Sequence, residues 1–202
     1  MLVAVDVLTE ISPSENSFEA LKSYSESCQD WLFGFLTYDL KNELENLESK
    51  NEDHLMFPQM HFFQPKWVFT FTGNEVNIYF PVDLPRSEIH SLCKEIASIQ
   101  REEILTSYSA EVKNRVSKKD YFSVFEKLQE HISNGNIYEI NYCQEYFIEN
   151  TELNSLNVFE RLNELSPSPF SAYYRMDDKH LMCSSPERFL TKIGNKLISQ
   201  PI

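Results

Sequence analysis

The sequence predicts an α+β fold rich in antiparallel sheet. Three observations lead there. Strand-like and helix-like stretches interleave along the chain with no internal repeat, and two Gly-Asn pairs each join apolar runs in the manner of hairpins. Hydrophobic residues make 42% and aromatics 13% of the 202 residues, enough to build a packed core.

Taken in order, Leu2 to Val7 alternates as a strand, and SFEALKSYSES from Ser17 carries Phe18, Leu21 and Tyr24 at helical spacing behind a serine cap. WLFGFLTYDL reads as a buried strand, and Lys41 to His54 as a charged, solvated loop. KWVFTFTGNEVNIYF alternates on both sides of Gly73-Asn74 and predicts a hairpin, because these residues tolerate the positive backbone angle of a tight turn. Ile89, Leu92, Cys93 and Ile96 recur at i, i+3, i+4 and i+7, which predicts an amphipathic helix from Arg86 to about Ile99.

A second helix follows Ser117, with Tyr121, Phe122, Phe125, Leu128 and Ile132 on one face and Asn134-Gly135 as its stop. IYEINYCQEYF is expected as a strand and Val158 to Leu165 as a helix that the prolines of SPSP end. FSAYYRM, HLMCS and the Gly-Asn-joined FLTKI and KLIS complete the set as strands.

Charge and cysteine usage exclude several function classes. A formal net charge of -13 argues against nucleic acid or an anionic membrane as partner, since both require a basic face to release counterions. The apolar runs are too short to span a bilayer, and Met1 to Val7 lacks the basic segment of a secretion signal. Cys28, Cys93, Cys143 and Cys183 are widely spaced, without metal-ligand spacing, and are expected as buried reduced thiols in a cytoplasmic protein. His131 and His180 are expected as solvated or capping residues at element ends.

Three segments carry chemical interest. Asn134-Gly135-Asn136 is too short for a phosphate loop and reads as a helix cap. In SPSPF two prolines impose a rigid extended backbone that either rims a pocket or only stops the helix. In SSPERF, Pro186 pins the backbone before Glu187 at a strand end. A carboxyl held there beside apolar walls would favour its acid form and suit a general acid, whereas an ion pair with its surroundings is the plain structural alternative.

Four segments in order, WLFGFLTYDLKNELE, ISNGNIYEINYCQEYF, FERLNELSPSPFSAYYR and LMCSSPERFLTKIGNKLISQPI, resemble the chorismate-utilising enzyme family. The resemblance runs from about Trp31 to Ile202 and is strongest to members that aminate chorismate. It implies the two-subdomain fold of that family, with residues 1–110 as part of an N-terminal subdomain and 111–202 as the first part of the chorismate-binding domain. In the family Pro-Ile is followed by Lys-Gly-Thr or Ala-Gly-Thr, so the chain is expected to be a fragment that ends one residue before that position.

The resemblance also assigns roles. Glu187 matches the carboxylate that acts as general acid on the C4 hydroxyl of chorismate, and Glu139, Asn141, Ser185, Pro201 and Ile202 fall around the substrate pocket. Glu139 stands where aminating relatives have Gln and water-adding relatives have a basic Lys, which argues for ammonia as nucleophile; a strand-edge carboxylate is its alternative. Pro169, Phe170 and Ser171 match a tryptophan-binding block, with Ser166 for the usual Asn and Phe170 for the usual Tyr.

The implied cofactor is Mg²⁺, with ligands beyond residue 202, and the implied partner is a glutamine amidotransferase subunit that supplies ammonia. The expected product is 4-amino-4-deoxychorismate. Amination at C2 to anthranilate is the alternative, and a non-catalytic chorismate-binding or glutaminase-docking module is the alternative of another class.

Overall fold

The computed structural model describes residues 1–100 and 110–200, and the chain divides into two units, Met1–Arg101 and Glu102–Ile202. The elements are α+β, and every described strand pairing is antiparallel.

The first unit is organised by one long strand. β1 (Leu2–Ile11), α1 (Ser17–Cys28) and β2 (Phe33–Leu36) precede β3 (Met60–Thr72), and β4 (Glu75–Tyr79) and α2 (Arg86–Ser98) follow it. β1 pairs along one edge of β3, from Leu2 opposite Thr70 to Ile11 opposite Phe62. The other edge is shared: β2 covers Met60–Phe63, and β4 covers Val68–Thr72. β3 therefore takes neighbours on both sides, and the buried apolar side chains Met60, Phe63, Trp67, Val68 and Phe69 all lie on it.

Pro65 has no N–H for a ladder and sits in the uncovered interval between β2 and β4, opposite Val7, next to the register shift between Val7 and Thr9. Asp6, at φ 59, is left-handed beside that shift. The Gly73-Asn74 hairpin forms as expected, Thr72 opposite Glu75, with the positive angle at Gly73 (φ 58).

Three expectations for this unit need correction. WLFGFLTYDL is not one buried strand: only Phe33–Leu36 pairs, Trp31 and Leu36 are about half exposed, and Tyr38–Glu43 forms a 3-10 turn that buries Leu40. Within the short paired segment the Gly34 backbone abuts β3 so closely that a β-carbon would collide with the His61 carbonyl oxygen. Nor is the charged loop solvated from its start. Ser17 is the first helical residue rather than the cap, and Glu43 closes the helix from across the chain, accepting from the Ser17 amide at 2.8 Å and from its hydroxyl. A carboxylate at a helix N-terminus satisfies free amides and opposes the positive end of the helix dipole.

The second unit is built from small pieces. β5 (Lys113–Asn114), α3 (Lys118–Ser133), β6 (Tyr146–Phe147) and α4 (Ser155–Leu165) lead to β7 (Phe170–Met176), β8 (Lys179–Ser185), β9 (Arg188–Ile193) and β10 (Lys196–Gln200). The strands pair only in twos, β5 with β6, β7 with β8 and β9 with β10. Ser117 caps α3 by accepting from the Asp120 amide at 3.1 Å, and Gly135 (φ 72) ends it. α4 starts at Ser155, earlier than Val158, because Asn154 supplies the cap at 3.0 Å from the Asn157 amide.

The long strand expected from Ile137 to Phe147 reduces to Tyr146–Phe147. A strand persists only where its backbone groups meet a neighbour, and among the described residues that neighbour is Lys113–Asn114, extended by the Arg115 amide on the Glu145 carbonyl at 3.1 Å. The cysteines are not buried: Cys93 and Cys143 are exposed, and Cys28 and Cys183 are half-buried. Among the described residues no helix is long and apolar enough to cross a membrane.

Candidate functional site

The two tandem hairpins gather the motif segments at one end. β7 and β8 turn at Asp177-Asp178, with Met176 opposite Lys179, and the register then sets Phe170 opposite Ser185 and Ser171 opposite Ser184. The SPSPF and SSPERF segments, at the two ends of this hairpin, are thus cross-strand neighbours. One bond also ties them together, the Ser184 hydroxyl donating to the Ser166 carbonyl, while within the proline stretch the Ser171 hydroxyl donates to the Ser168 carbonyl at 2.9 Å. The Ser166 and Ser168 carbonyls, which lie past the end of the helix and so have no helical partner, are satisfied by serine hydroxyls, which helps that stretch to stay extended.

Glu187 lies in the turn between β8 and β9. Its amide donates to the Ser185 hydroxyl at 3.3 Å, and that hydroxyl donates to the Glu187 carbonyl at 3.1 Å, so the turn is fixed by a side chain two residues back. The Glu187 side chain is exposed, and the adjacent Phe189 is 86% exposed. The apolar walls expected around this carboxyl are therefore not supplied by the residues next to it in the link between the two hairpins. The neighbouring Arg188 guanidinium lies over the Phe170 ring, 4.8 Å from its centroid.

β9 and β10 return the chain to the same place. Gly194-Asn195 makes the expected two-residue turn, Ile193 opposite Lys196, and the pairing ends with Gln200 opposite Arg188. Pro201 and Ile202, assigned to the pocket by resemblance, lie outside the described residues.

The remaining candidates separate. Phe170 and Ser171 are half-buried and Pro169 is exposed, all beside the Glu187 turn. Glu139 and Asn141 are exposed on the irregular stretch after α3. The structure gives them no side-chain contact with Glu187 among the described residues, so they are not joined to it into one constellation. That stretch is anchored instead by Tyr142, stacked on Tyr121 at 4.9 Å, and by Gln144, which donates to the Val116 carbonyl at 3.0 Å.

Two features escaped sequence reasoning. His180 is not a solvated end residue: its Nδ1 lies 3.0 Å from both the Ser155 hydroxyl and the Tyr173 hydroxyl, tying α4 to the hairpin. The stack of Arg188 on Phe170 was also missed, and the signal that could have found it is the Asp177-Asp178 pair, which sits midway between residues 170 and 185. Among the described residues no three His, Cys, Asp or Glu side chains gather closely enough to hold a metal ion. The Mg²⁺ implied by resemblance, whose expected ligands lie beyond residue 202, therefore has no ligand set among the described residues.

The chain matches, over residues 6–202, the family described as chorismate binding enzyme, and it belongs to that family. It is 22% identical over 185 residues to aminodeoxychorismate synthase component 1 of Bacillus subtilis (strain 168), covering 86% of this chain and 39% of that protein. It is 26% identical to the protein of the same name from Klebsiella aerogenes, covering 84% and 37%, and 26% identical to anthranilate synthase component 1 of Acetivibrio thermocellus, covering 82% and 37%. The chain thus spans about two fifths of the length of these curated relatives.

The fold matches the crystal structure of anthranilate synthase component I from Streptococcus pneumoniae TIGR4 with a TM-score of 0.82 at 16% identity, over 96% of this chain and 52% of that one. The α+β reading and the family resemblance both hold.

Proposed function

We propose that the chain is part of an aminodeoxychorismate synthase component I, with Glu187 as the general acid in the conversion of chorismate and ammonia to 4-amino-4-deoxychorismate and water, on the route to para-aminobenzoate and folate. One observation carries the reading: Glu187 stands on a turn braced by Ser185, and its neighbouring cation is engaged by Phe170 and does not neutralise it. In the reaction the C4–O bond breaks as the Glu187 proton passes to the departing hydroxyl, which leaves as water. The ammonia nitrogen bonds to C4, and its surplus proton returns to a base such as the Glu187 carboxylate. A carboxyl covered by bound substrate has its acid form favoured, and a positioned acid contributes about 10²–10⁴ in rate.

By the family pattern a lysine after Ile202 adds to C2 while the hydroxyl departs and leaves again when ammonia has added. The pairing of Gln200 with Arg188 supports this, since it returns the chain beside the Glu187 turn two residues short of Ile202. Mg²⁺, which would be held by ligands outside residues 1–202 and would offset the charge of the substrate carboxylate, a glutamine amidotransferase subunit as ammonia source, a pocket that includes Glu139, Asn141, Ser185, Pro201 and Ile202, tryptophan at Pro169, Phe170 and Ser171, and a cytoplasmic setting complete the reading. The words "component 1" in the relatives' names favour a partner subunit.

The second reading, an anthranilate synthase large subunit, is favoured by the equal identity to the Acetivibrio thermocellus protein. Lys at the position after Ile202 supports the first reading, Ala the second, and a reading frame that stops at Ile202 supports a non-catalytic docking module. The test is to express the reading frame through to its stop codon and assay it with chorismate, ammonium and Mg²⁺. We expect 4-amino-4-deoxychorismate by chromatography and a rate about 10²–10⁴ lower in Glu187→Gln. Anthranilate as product establishes the second reading, and no product overturns both.

A further inference from the structure

We propose that Arg188 is a positioning residue, clamped on the Phe170 ring so that both feet of the Glu187 turn are tied to one residue, Ser185 to its backbone and Arg188 to its ring. Phe170 is the cross-strand partner of Ser185, two residues before Glu187. It also carries the guanidinium of Arg188, one residue after Glu187, at 4.8 Å from the ring centroid. Ser185, Pro186, Glu187 and Arg188 therefore form a short loop closed at both ends on Phe170. Pro186 removes one backbone freedom inside the loop, and the Ser185 hydroxyl removes another by holding the Glu187 amide at 3.3 Å.

The guanidinium has little else to hold it. Its Nε is buried and finds no hydrogen-bond acceptor among the described residues. A desolvated donor without an acceptor is unfavourable by itself, whereas a cation over an aromatic face gains most where water is excluded. The contact with Phe170 thus holds the Arg188 guanidinium, and together with the backbone pairing to Gln200 it fixes the direction in which the chain leaves Glu187. An aromatic ring is required at position 170, and an apolar side chain of similar bulk does not replace it.

The catalytic meaning of the clamp rests on the function proposed above, but the clamp itself is testable without turnover. In the 202-residue chain, amide hydrogen exchange at Glu187 is measured for the wild type, Phe170→Leu, Phe170→Tyr, Arg188→Met and the Phe170→Leu/Arg188→Met pair. Unchanged amide spectra of the first unit and of α3 serve as the check of folding. Phe170→Leu and Arg188→Met should each speed exchange about fivefold, the double variant should be no faster than either single, and Phe170→Tyr should match the wild type. Wild-type exchange in Phe170→Leu, or additive effects in the double variant, overturns the clamp. A second arm uses the complete reading frame, where Arg188→Met should lower kcat with KM unchanged. No turnover by the wild type would sink the proposed function while the exchange result still decides the clamp.

Discussion

The two units use similar elements to opposite ends. In the first, a single strand, β3, takes partners on both edges and carries the buried side chains from Met60 to Phe69. In the second, strands pair only in twos and no described residue is fully buried. Phe122 on α3 is 50% exposed, and Leu197 on β10 is 66% exposed. The candidate acid stands on the loosely enclosed unit. Stability and the proposed chemistry are therefore carried by different parts of the chain, and lesions in one should leave the other legible.

The largest test of that contrast is to delete a side chain from each. Trp67→Ala, at a site 3% exposed, is expected to cost about 3–5 kcal/mol in denaturant unfolding followed by β3 amides. Leu197→Ala, on a two-stranded hairpin, should stay within about 0.5 kcal/mol. Equal losses would erase the distinction.

Glycines sharpen it next, because the same substitution fails for different reasons. At Gly34 a methyl group would collide with the His61 carbonyl and the Phe62 ring, so Gly34→Ala should lower stability by about 1–3 kcal/mol through displaced backbone. Gly194 has open space around it but a φ of 58, so Gly194→Ala should cost about 1–2 kcal/mol through the left-handed conformation alone. Thermal melts of the two variants, compared with Gly194→Asn, separate the causes, since asparagine tolerates that angle.

Smaller effects are expected at the helix caps. Glu43→Ala removes a cap that reaches α1 from a distant turn, and Asn154→Ala removes a local one from α4; each should cost about 1 kcal/mol. Hydrogen exchange should show α1 alone responding to the first change and α4 alone to the second.

The smallest concerns alkali. Burial above all holds the Tyr24 phenol above its ordinary value of 10.0, against the opposing hydrogen bonds from Thr9 and the Gln64 amide. The folded form therefore keeps its proton longer than the unfolded one. The stability linked to Tyr24 is full below pH 10.0 and is lost as pH rises through the folded value. Absorbance titration at 295 nm should show one tyrosine ionising late, and Tyr24→Phe should abolish that component.

The sequence was most legible where local chemistry decides. Gly73-Asn74 and Gly194-Asn195 make their hairpins, Ser117 caps its helix, and the periodic face from Ile89 to Ile96 is helical, because turn geometry and helical period are properties of a few adjacent residues. It was least legible where partners decide. Nothing in WLFGFL says that Gly34 must press against His61, and the alternation of IYEINYCQEYF promises a ladder whose neighbour it cannot specify. The cysteines were misjudged for the same reason, since a preference for cores says nothing about how much core a given unit builds. At the candidate site, Glu187 was found from its motif, while its clamp on Phe170 required the register of a hairpin whose Asp-Asp turn went unread.

That register has a kinetic consequence. To complete the first unit, Leu2 must find Thr70 across most of a unit's length of chain. The end that carries Glu187 needs only two consecutive hairpins, Phe170 onto Ser185 and then Arg188 onto Gln200. Contacts so close in sequence form quickly, on the order of 1–10 μs for a hairpin. The acid-bearing turn is therefore positioned to take shape early in folding, while long-range pairing elsewhere is still being searched for.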